Sequence, residues 1–229
     1  MKLFRQDGKI KTDLKLVSLH IPKTAGTSFR NVLQEVYGRS HIARLDIRRN
    51  IELNKKAFTG KRLKPEIQVI HGHFSYQKLM DAFEIPAGTP IITWLREPAS
   101  RVISNYYYLD MILHKELNEE KKGLNILAKM QKSLLEFAHS DINRNRMSKF
   151  LSGISPEELF FIGLTEHYNE DVERLAQLMQ WKEYPIYKVN ITDDKPVVDQ
   201  ETIEIIKELN AEDYKIYNKA LQLREEQMK

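Results

Sequence analysis

A short segment, residues 22–28 with the sequence PKTAGTS, lies between an apolar run and a stretch with helical spacing. A loop of this kind presents backbone N–H groups at the positive end of a helix dipole, and such an arrangement binds anions. Lys23 adds a full positive charge, and Gly26 lets the backbone approach a phosphate closely. Further hydroxyl donors come from Thr24, Thr27 and Ser28. The alternative is a polar turn that only caps the helix.

The order of residues in this loop differs from that of a Walker A loop. In the Walker pattern G-x-x-x-x-G-K-[ST], the lysine follows the second glycine and the next hydroxyl binds magnesium. Here the lysine comes first and the glycine follows it. The loop therefore favours a phosphorylated ligand that does not need magnesium held by a serine after the lysine.

A second polar motif, TWLREPASRVISNYYY, begins in another predicted strand. Arg96 directly follows that strand, and Pro98 is suited to the first turn of a helix. Ser104 would then lie in the second helical turn, on a face that can look back toward the end of the strand. A guanidinium group offers a fork of donors that suits a phosphate, and a hydroxyl adds one more. Alternatively, Arg96 pairs with Glu97 on the surface and Ser104 is solvated.

A third motif, His71-Gly72-His73, ends a further short strand. A histidine in this position can act as a general base toward a hydroxyl group, because its ordinary pKa lies near neutrality. Two other roles stay open, a hydrogen-bonded core histidine and a metal ligand. Two histidines without further ligands do not make a metal site, so the sequence predicts no metal.

The bulk composition limits the class of protein. The chain has 229 residues, with 41% hydrophobic and 30% charged residues, which suits one folded domain over 1–229 with a loose segment at 1–13. The formal charge of +4 favours anionic ligands. The absence of cysteine excludes disulfides, thiolate zinc sites and cysteine nucleophiles. Because no long apolar stretch is present, the sequence predicts neither a signal peptide nor a membrane span. It therefore predicts a cytoplasmic location.

Apolar runs and helical spacing alternate along the chain. Strands are predicted at 14–20, 67–70, 90–95, 160–164 and 186–190. Helices are predicted at 28–37, 98–114, 124–139, 141–152, 169–180 and 199–227. Residues 39–66 are basic and show no clear pattern, and 115–122 form a charged run typical of a solvated surface. The alternation predicts an α/β fold with a parallel sheet covered on both faces, whose ligands bind beyond the carboxyl ends of the strands.

Four stretches together resemble the sulfotransferases that use 3′-phosphoadenosine 5′-phosphosulfate (PAPS), in the carbohydrate branch that includes heparan sulfate 2-O-sulfotransferase. They are HIPKTAGTSF, HGHFSY, LREPASRVISNYYY and FFIGLTE, and they occur in the family's order over most of residues 16–170. The resemblance implies a three-layer sandwich with a central, mostly parallel sheet and a P-loop-like sulfotransferase fold. It also implies a sulfuryl transfer from PAPS to a hydroxyl group, with the desulfated nucleotide PAP as product.

The same resemblance implies residue roles. Lys23 would stabilise the leaving phosphate, and His73 would be the base, with His71 beside it. The loop would hold the 5′-phosphosulfate, and Arg96 with Ser104 the 3′-phosphate. The residues implied to bind the nucleotide are Lys23, Thr24, Ala25, Gly26, Thr27, Ser28, Arg96 and Ser104.

The acceptor implied is a carbohydrate, a glycolipid or a small molecule that carries a hydroxyl group. The family's glycan-modifying members are Golgi proteins with a membrane anchor and cysteines, so this chain is expected to be a bacterial, cytoplasmic relative. A P-loop-like nucleotide kinase is one alternative, but the strand ends carry HGH, REP and TE rather than a Walker lysine with an acidic magnesium ligand. A non-catalytic protein that binds nucleotides or other anions is another. No nucleic-acid-binding module is recognisable, and the oligomeric state is not predicted.

Overall fold

The computed structural model of the chain describes residues 8–118, 132–185 and 197–228. In this part of the chain nine strands form, namely β1 (Ile10–Lys11), β2 (Leu16–Leu19), β3 (Ile42–Ile47), β4 (Ile51–Leu53), β5 (Lys56–Ala57), β6 (Val69–Gly72), β7 (Phe83–Glu84), β8 (Ile91–Leu95) and β9 (Phe161–Leu164). The α-helices are α1 (Gly26–Tyr37), α2 (Tyr76–Ala82), α3 (Pro98–Asn118), α4 (Leu134–His139), α5 (Arg146–Phe150), α6 (Tyr168–Leu178), α7 (Gln200–Leu209) and α8 (Ala211–Gln227).

The centre of the fold is a seven-stranded sheet with the order β5-β4-β3-β6-β2-β8-β9. Strands β3, β6, β2, β8 and β9 run parallel, and β4 and β5 add an antiparallel edge. A separate parallel pair joins β1 to β7. Because parallel strands all end at the same edge, the polar segments that follow β2, β6, β8 and β9 meet there.

Helices cover both faces of this sheet. Leu16 of β2 packs in one buried cluster with α1 and α6, whereas its neighbour Val17 packs in another with α2. The two side chains point to opposite faces because they are consecutive in a strand. Residues of α5 and α8 bury a third cluster against Leu95, while the preceding Trp94 packs on the α1 side. The predicted three-layer α/β sandwich with a mostly parallel sheet is confirmed.

Helix α1 shows why the local prediction succeeds. Phe29, Val32 and Leu33 have helical spacing, and all three are fully buried against the sheet. Gly38 ends the helix at a φ of 83°, a value that glycine adopts without strain, and its N–H bonds to the carbonyl of Gln34 at 3.0 Å. The helix begins at Gly26, two residues earlier than the pattern 28–37 predicts.

Three predicted regions differ from the structure. The unassigned stretch 39–66 contains β3 and the β4–β5 hairpin. The apolar run that marks a strand buried on both faces is interrupted in β3 by the charged residues Arg44 and Asp46. Of the predicted helix 141–152 only α5 is helical. The predicted helix 199–227 divides at Asn210, whose side chain bonds to the carbonyl of Ile206 and to the N–H of Asn145.

Some predictions extend beyond the described residues. The strand predicted at 186–190 lies entirely outside them, as do the second half of the charged run 115–122 and the first part of the helix predicted at 124–139. Within the described ranges, no helix has the length and apolar character that crossing a membrane requires.

Candidate active site

A cavity of about 700 Å³ opens at the carboxyl edge of the sheet. The loop after β2, the end of β6, the segment after β8, one face of α3 and the residues after β9 line it. The lining includes Lys23, Ala25, Gly26, Thr27, Ser28, His71, His73, Arg96 and Ser104. The structure thus brings together the three motifs that the sequence singled out.

The loop before α1 has an unusual backbone. Lys23 and Ala25 adopt left-handed conformations, with φ of 71° and 59°, which are uncommon for residues other than glycine. Thr24, between them, is fully buried, and its hydroxyl donates to the carbonyl of Ile21 at 2.8 Å. Among the predicted loop residues, Thr24 is therefore the one that turns its side chain away from the cavity. The backbone strain is compatible with a functional loop.

Gly26 lies in close contact with the side chain of His20. A Cβ atom added at Gly26 would lie 1.9 Å from Nε2 and 2.0 Å from Cδ2 of His20. The sequence explained this glycine by the close approach of a phosphate. The structure shows a second reason, since the imidazole of His20 occupies the space that any larger residue would need.

Lys23 is held near the cavity wall. Its Nζ atom lies 3.8 Å from the ring centroid of Tyr108, which α3 presents to the cavity. This is a cation–π contact. Tyr108 is 44% exposed. Tyr106 donates to the carbonyl of Lys132 at 3.0 Å and packs on Phe137.

Arg96 and Ser104 both face the cavity, and Ser104 is only 6% exposed. Burial lowers the pKa of Arg96, and the neighbouring carboxylates of Glu166 and Glu97 oppose this effect. Glu97 also caps α3, because its carboxylate accepts the N–H groups of Ala99 and Ser100 at 3.2 and 2.6 Å. Because Ser104 is almost completely buried, the alternative of a solvated Ser104 is wrong.

His71 is a buried histidine at the inner end of the cavity. Its Nδ1 lies 2.9 Å from the hydroxyl of Ser18, and burial, followed by the charge of His73, lowers its pKa to about 3. The ring of His20 contacts both neighbouring histidines: it is stacked on His71 with the centroids 4.9 Å apart, and tilted against His73 with the centroids 4.4 Å apart. Burial likewise holds the pKa of His20 well below 6.5. His20 and His71 are thus uncharged at neutral pH.

His73 has a different environment. Its side chain is 25% exposed, and its Nδ1 lies 2.9 Å from Oδ1 of Asp46. The other oxygen of Asp46 accepts from Nε of Arg44 at 2.7 Å. Burial lowers the pKa of His73, and the hydrogen bond and charge of Asp46 partly restore it. His73 therefore stays neutral near pH 7 and lines the cavity with one ring nitrogen uncommitted to Asp46.

Sequence reasoning missed Asp46, His20 and Glu166 as parts of this site. Asp46 lies in the stretch 39–66, where the segment IARLDI has strand-forming residues and a single buried carboxylate. A buried carboxylate in a strand is unusual, and it was the available signal that Asp46 belongs to the site.

The basic residues Arg144 and Lys149 contact neighbouring groups of their own segment, namely Asp141 and backbone carbonyls, and neither residue lines the cavity.

The described residues contain no cluster of three or more histidine, cysteine, aspartate or glutamate side chains placed to hold a metal ion. The cavity instead gathers cationic, hydroxyl and backbone N–H donors at the end of a parallel sheet. This donor set fits a ligand that carries several phosphate or sulfate groups. The class of protein that the fold and the site define is an α/β protein with a cavity beyond the ends of its strands whose lining suits a phosphorylated or sulfated ligand.

The profile of the Sulfotransferase family matches residues 6–220, so the chain belongs to that family. Heparan sulfate 2-O-sulfotransferase 1 of Cricetulus griseus and of Homo sapiens are each 27% identical to it over 118 residues, which are 46% of this chain and 32% of the relative. The aligned part of the chain thus spans about a third of the length of these relatives. A sulfotransferase from Alicyclobacillus acidocaldarius superposes with a TM-score of 0.46 at 13% identity, covering 86% of this chain and 91% of that one.

Proposed function

We propose that this protein is a PAPS-dependent sulfotransferase that moves a sulfuryl group onto a hydroxyl group of an acceptor. One observation carries the proposal: the loop of Lys23, the Arg96–Ser104 pair and His73 line a single cavity. Family membership supports the same activity. A cavity of about 700 Å³ is also large enough for a nucleotide and part of an acceptor.

The nucleotide would be held at its two charged ends. Backbone N–H groups at the start of α1, the hydroxyls of Thr27 and Ser28, and the Lys23 ammonium group suit the 5′-phosphosulfate. Thr24 contributes its backbone alone, since its hydroxyl is already bonded inside the loop. Arg96, which directly follows β8, and Ser104 of α3 line the same cavity and suit the 3′-phosphate.

His73 is the better of the two candidate bases. His71 is buried, with Nδ1 bonded to Ser18, and its pKa of about 3 makes it a poor proton acceptor. His73 is partly exposed to the cavity, and its lowered pKa keeps the ring neutral and able to accept a proton near pH 7.

The reaction is an in-line displacement similar to phosphoryl transfer. The acceptor oxygen forms a bond to sulfur while the bond from sulfur to the 5′-phosphate oxygen breaks. His73 takes the proton of the acceptor hydroxyl, and the leaving phosphate keeps the electron pair. The ammonium group of Lys23 and the loop N–H groups offset the charge that develops on that phosphate. The acceptor we propose is a carbohydrate, a glycolipid or a small molecule.

The test is calorimetric titration of the protein with PAP in the absence of magnesium. We expect saturable binding to the wild type, weakened roughly 10- to 150-fold in Lys23→Ala and in Arg96→Ala, because each loses a charge-assisted hydrogen bond of about 1.5–3 kcal/mol. Lys64→Ala is the matched control, since this side chain is 78% exposed and does not line the cavity.

A second measurement tests transfer itself, using ³⁵S-labelled PAPS and a panel of hydroxyl acceptors. His73→Gln is expected to lower kcat about 10²–10⁴-fold with PAP affinity unchanged, because a general base contributes this much. A folded wild type that does not bind PAP would overturn the proposal. A requirement for ATP and magnesium would favour a nucleotide kinase instead.

A further inference from the structure

We propose that Asp46, itself held by Arg44, is a positioning residue that fixes the ring of His73 with its proton on Nδ1 and leaves Nε2 to receive the proton of the acceptor. The inference rests on the proposed function, because it assigns a partner to the base of that reaction. Asp46 acts through His73 and does not touch the substrates itself.

The hydrogen bonds of Asp46 determine the tautomer of His73. An ionised carboxylate only accepts hydrogen bonds, so the contact of 2.9 Å between its Oδ1 and Nδ1 of His73 requires the proton on Nδ1. Nε2 then keeps its lone pair. Asp46 is 3% exposed, and its second oxygen accepts from Nε of Arg44 at 2.7 Å. The carboxylate therefore has little freedom to turn away from the ring.

The sheet holds Asp46 opposite His73. Strands β3 and β6 pair in parallel, with Arg44 in register with His71. The pairing continues past the end of β6, where the N–H of Ile47 bonds to the carbonyl of His73 at 3.1 Å. Asp46 therefore lies in β3 and His73 directly follows β6, and a main-chain hydrogen bond holds the two segments side by side. A base held in this way loses little orientational freedom when the substrate binds.

The charges around this pair favour an ionised Asp46. Burial alone would raise the pKa of the carboxyl group, but the hydrogen bonds from Arg44 and His73 outweigh burial and hold the pKa below its ordinary value. The groups that face His73 are His20 from the end of β2, His71 from β6, and Arg44, Asp46 and Arg48 from β3 and the residue after it. Of these groups, Asp46 alone favours the charged form of His73.

A tautomer measurement tests the inference without any assay of activity. Long-range ¹H–¹⁵N correlation spectra of ¹⁵N-histidine-labelled protein distinguish protonated from unprotonated ring nitrogens, and comparison with His73→Gln identifies the signals of His73. In the wild type we expect Nδ1 protonated and Nε2 unprotonated at neutral pH. The opposite tautomer in a folded wild type would overturn the inference, even if Asp46→Asn does not fold.

Kinetics of Asp46→Asn provide the second readout. The amide can present N–H groups to Nδ1 and so move the ring proton to Nε2, and we expect kcat to fall about 10²–10⁴-fold with PAP affinity within about twofold of the wild type. Loss of the carboxylate also lowers the pKa of His73, so the acidic limb of the pH profile of kcat/KM should move to lower pH. A merely structural role would not move this limb.

Asp141→Asn is the matched control, because Asp141 is exposed and pairs with Arg144 away from the cavity. We expect this variant to behave as the wild type does. An Asp46→Asn variant that keeps the wild-type kcat and pH profile, in a protein that transfers sulfuryl groups, would overturn the inference and leave the proposed function intact. A wild type that neither binds PAP nor transfers sulfuryl groups would overturn the proposed function. The tautomer measurement would still decide whether Asp46 holds the ring proton of His73 on Nδ1.

Discussion

Replacing Gly26 with alanine would force a collision between α1 and the ring of His20. The added Cβ would lie 1.9, 2.0 and 2.4 Å from three ring atoms of His20, whereas carbon atoms in contact prefer about 3.5–4.0 Å. The ring would have to move by roughly 1.5 Å to reach that separation. It cannot retreat easily, because the rings of His71 and His73 lie at centroid distances of 4.9 and 4.4 Å.

Overpacking of this kind costs about 1–3 kcal/mol. For a chain of this length, each kcal/mol corresponds to about 2–4 °C in the midpoint of thermal unfolding. We therefore expect Gly26→Ala to lower the midpoint by about 2–12 °C, as measured by scanning calorimetry and by denaturant titration. The displaced His20 would also disturb His73, so transfer activity should fall together with stability.

A double-mutant cycle with His20→Ala isolates the collision from other effects of the substitution. Once the imidazole is absent, alanine at position 26 meets no obstacle from it, and the same change should cost little or even stabilise the first turn of α1. The reasoning is refuted if Gly26→Ala alone keeps wild-type stability. It is equally refuted if the change costs the same in the His20→Ala background.

Two further predictions concern stability. The pKa of His71 is about 3 in the folded protein and near 6.5 when unfolded, so the stability that depends on its neutral form is fully present above pH 6.5 and is lost as pH falls toward 3. His71→Gln should therefore reduce the pH dependence of the unfolding free energy between pH 4.5 and 6.5 by up to about 1.4 kcal/mol per pH unit. The exposed His139→Gln is the control, and we expect it to leave this pH dependence unchanged. Asp171→Ala should cost about 3–5 kcal/mol in urea unfolding, because the buried carboxylate accepts from Leu164 and Arg224. An unchanged slope, or a loss below about 1 kcal/mol, would contradict the respective argument.

Much of the fold follows from local patterns. Short apolar runs identify β2, β6, β8 and β9, because strands buried on both faces read as short apolar segments. Helical spacing identifies α1, α3 and α6, because a helix that buries one face keeps its period in the sequence. Trp94, in the apolar run of β8, is 2% exposed and lies in the core. The same patterns could not resolve β3, whose apolar run is interrupted by Arg44 and Asp46, or the break at Asn210, which a side-chain bond to the distant Asn145 stabilises.

For the candidate site, the sequence by itself determined which polar motifs follow the strands, and the parallel sheet then had to bring them to one edge. The roles of Lys23, Arg96 and His73 stay predictions until PAP binding and transfer are measured. The tertiary structure alone decided that Asp46 faces His73 and that Thr24 turns inward. It also decided that His20 fills the space beside Gly26. These contacts depend on strand register and side-chain packing between residues far apart in the chain, and neither leaves a periodic trace in the sequence.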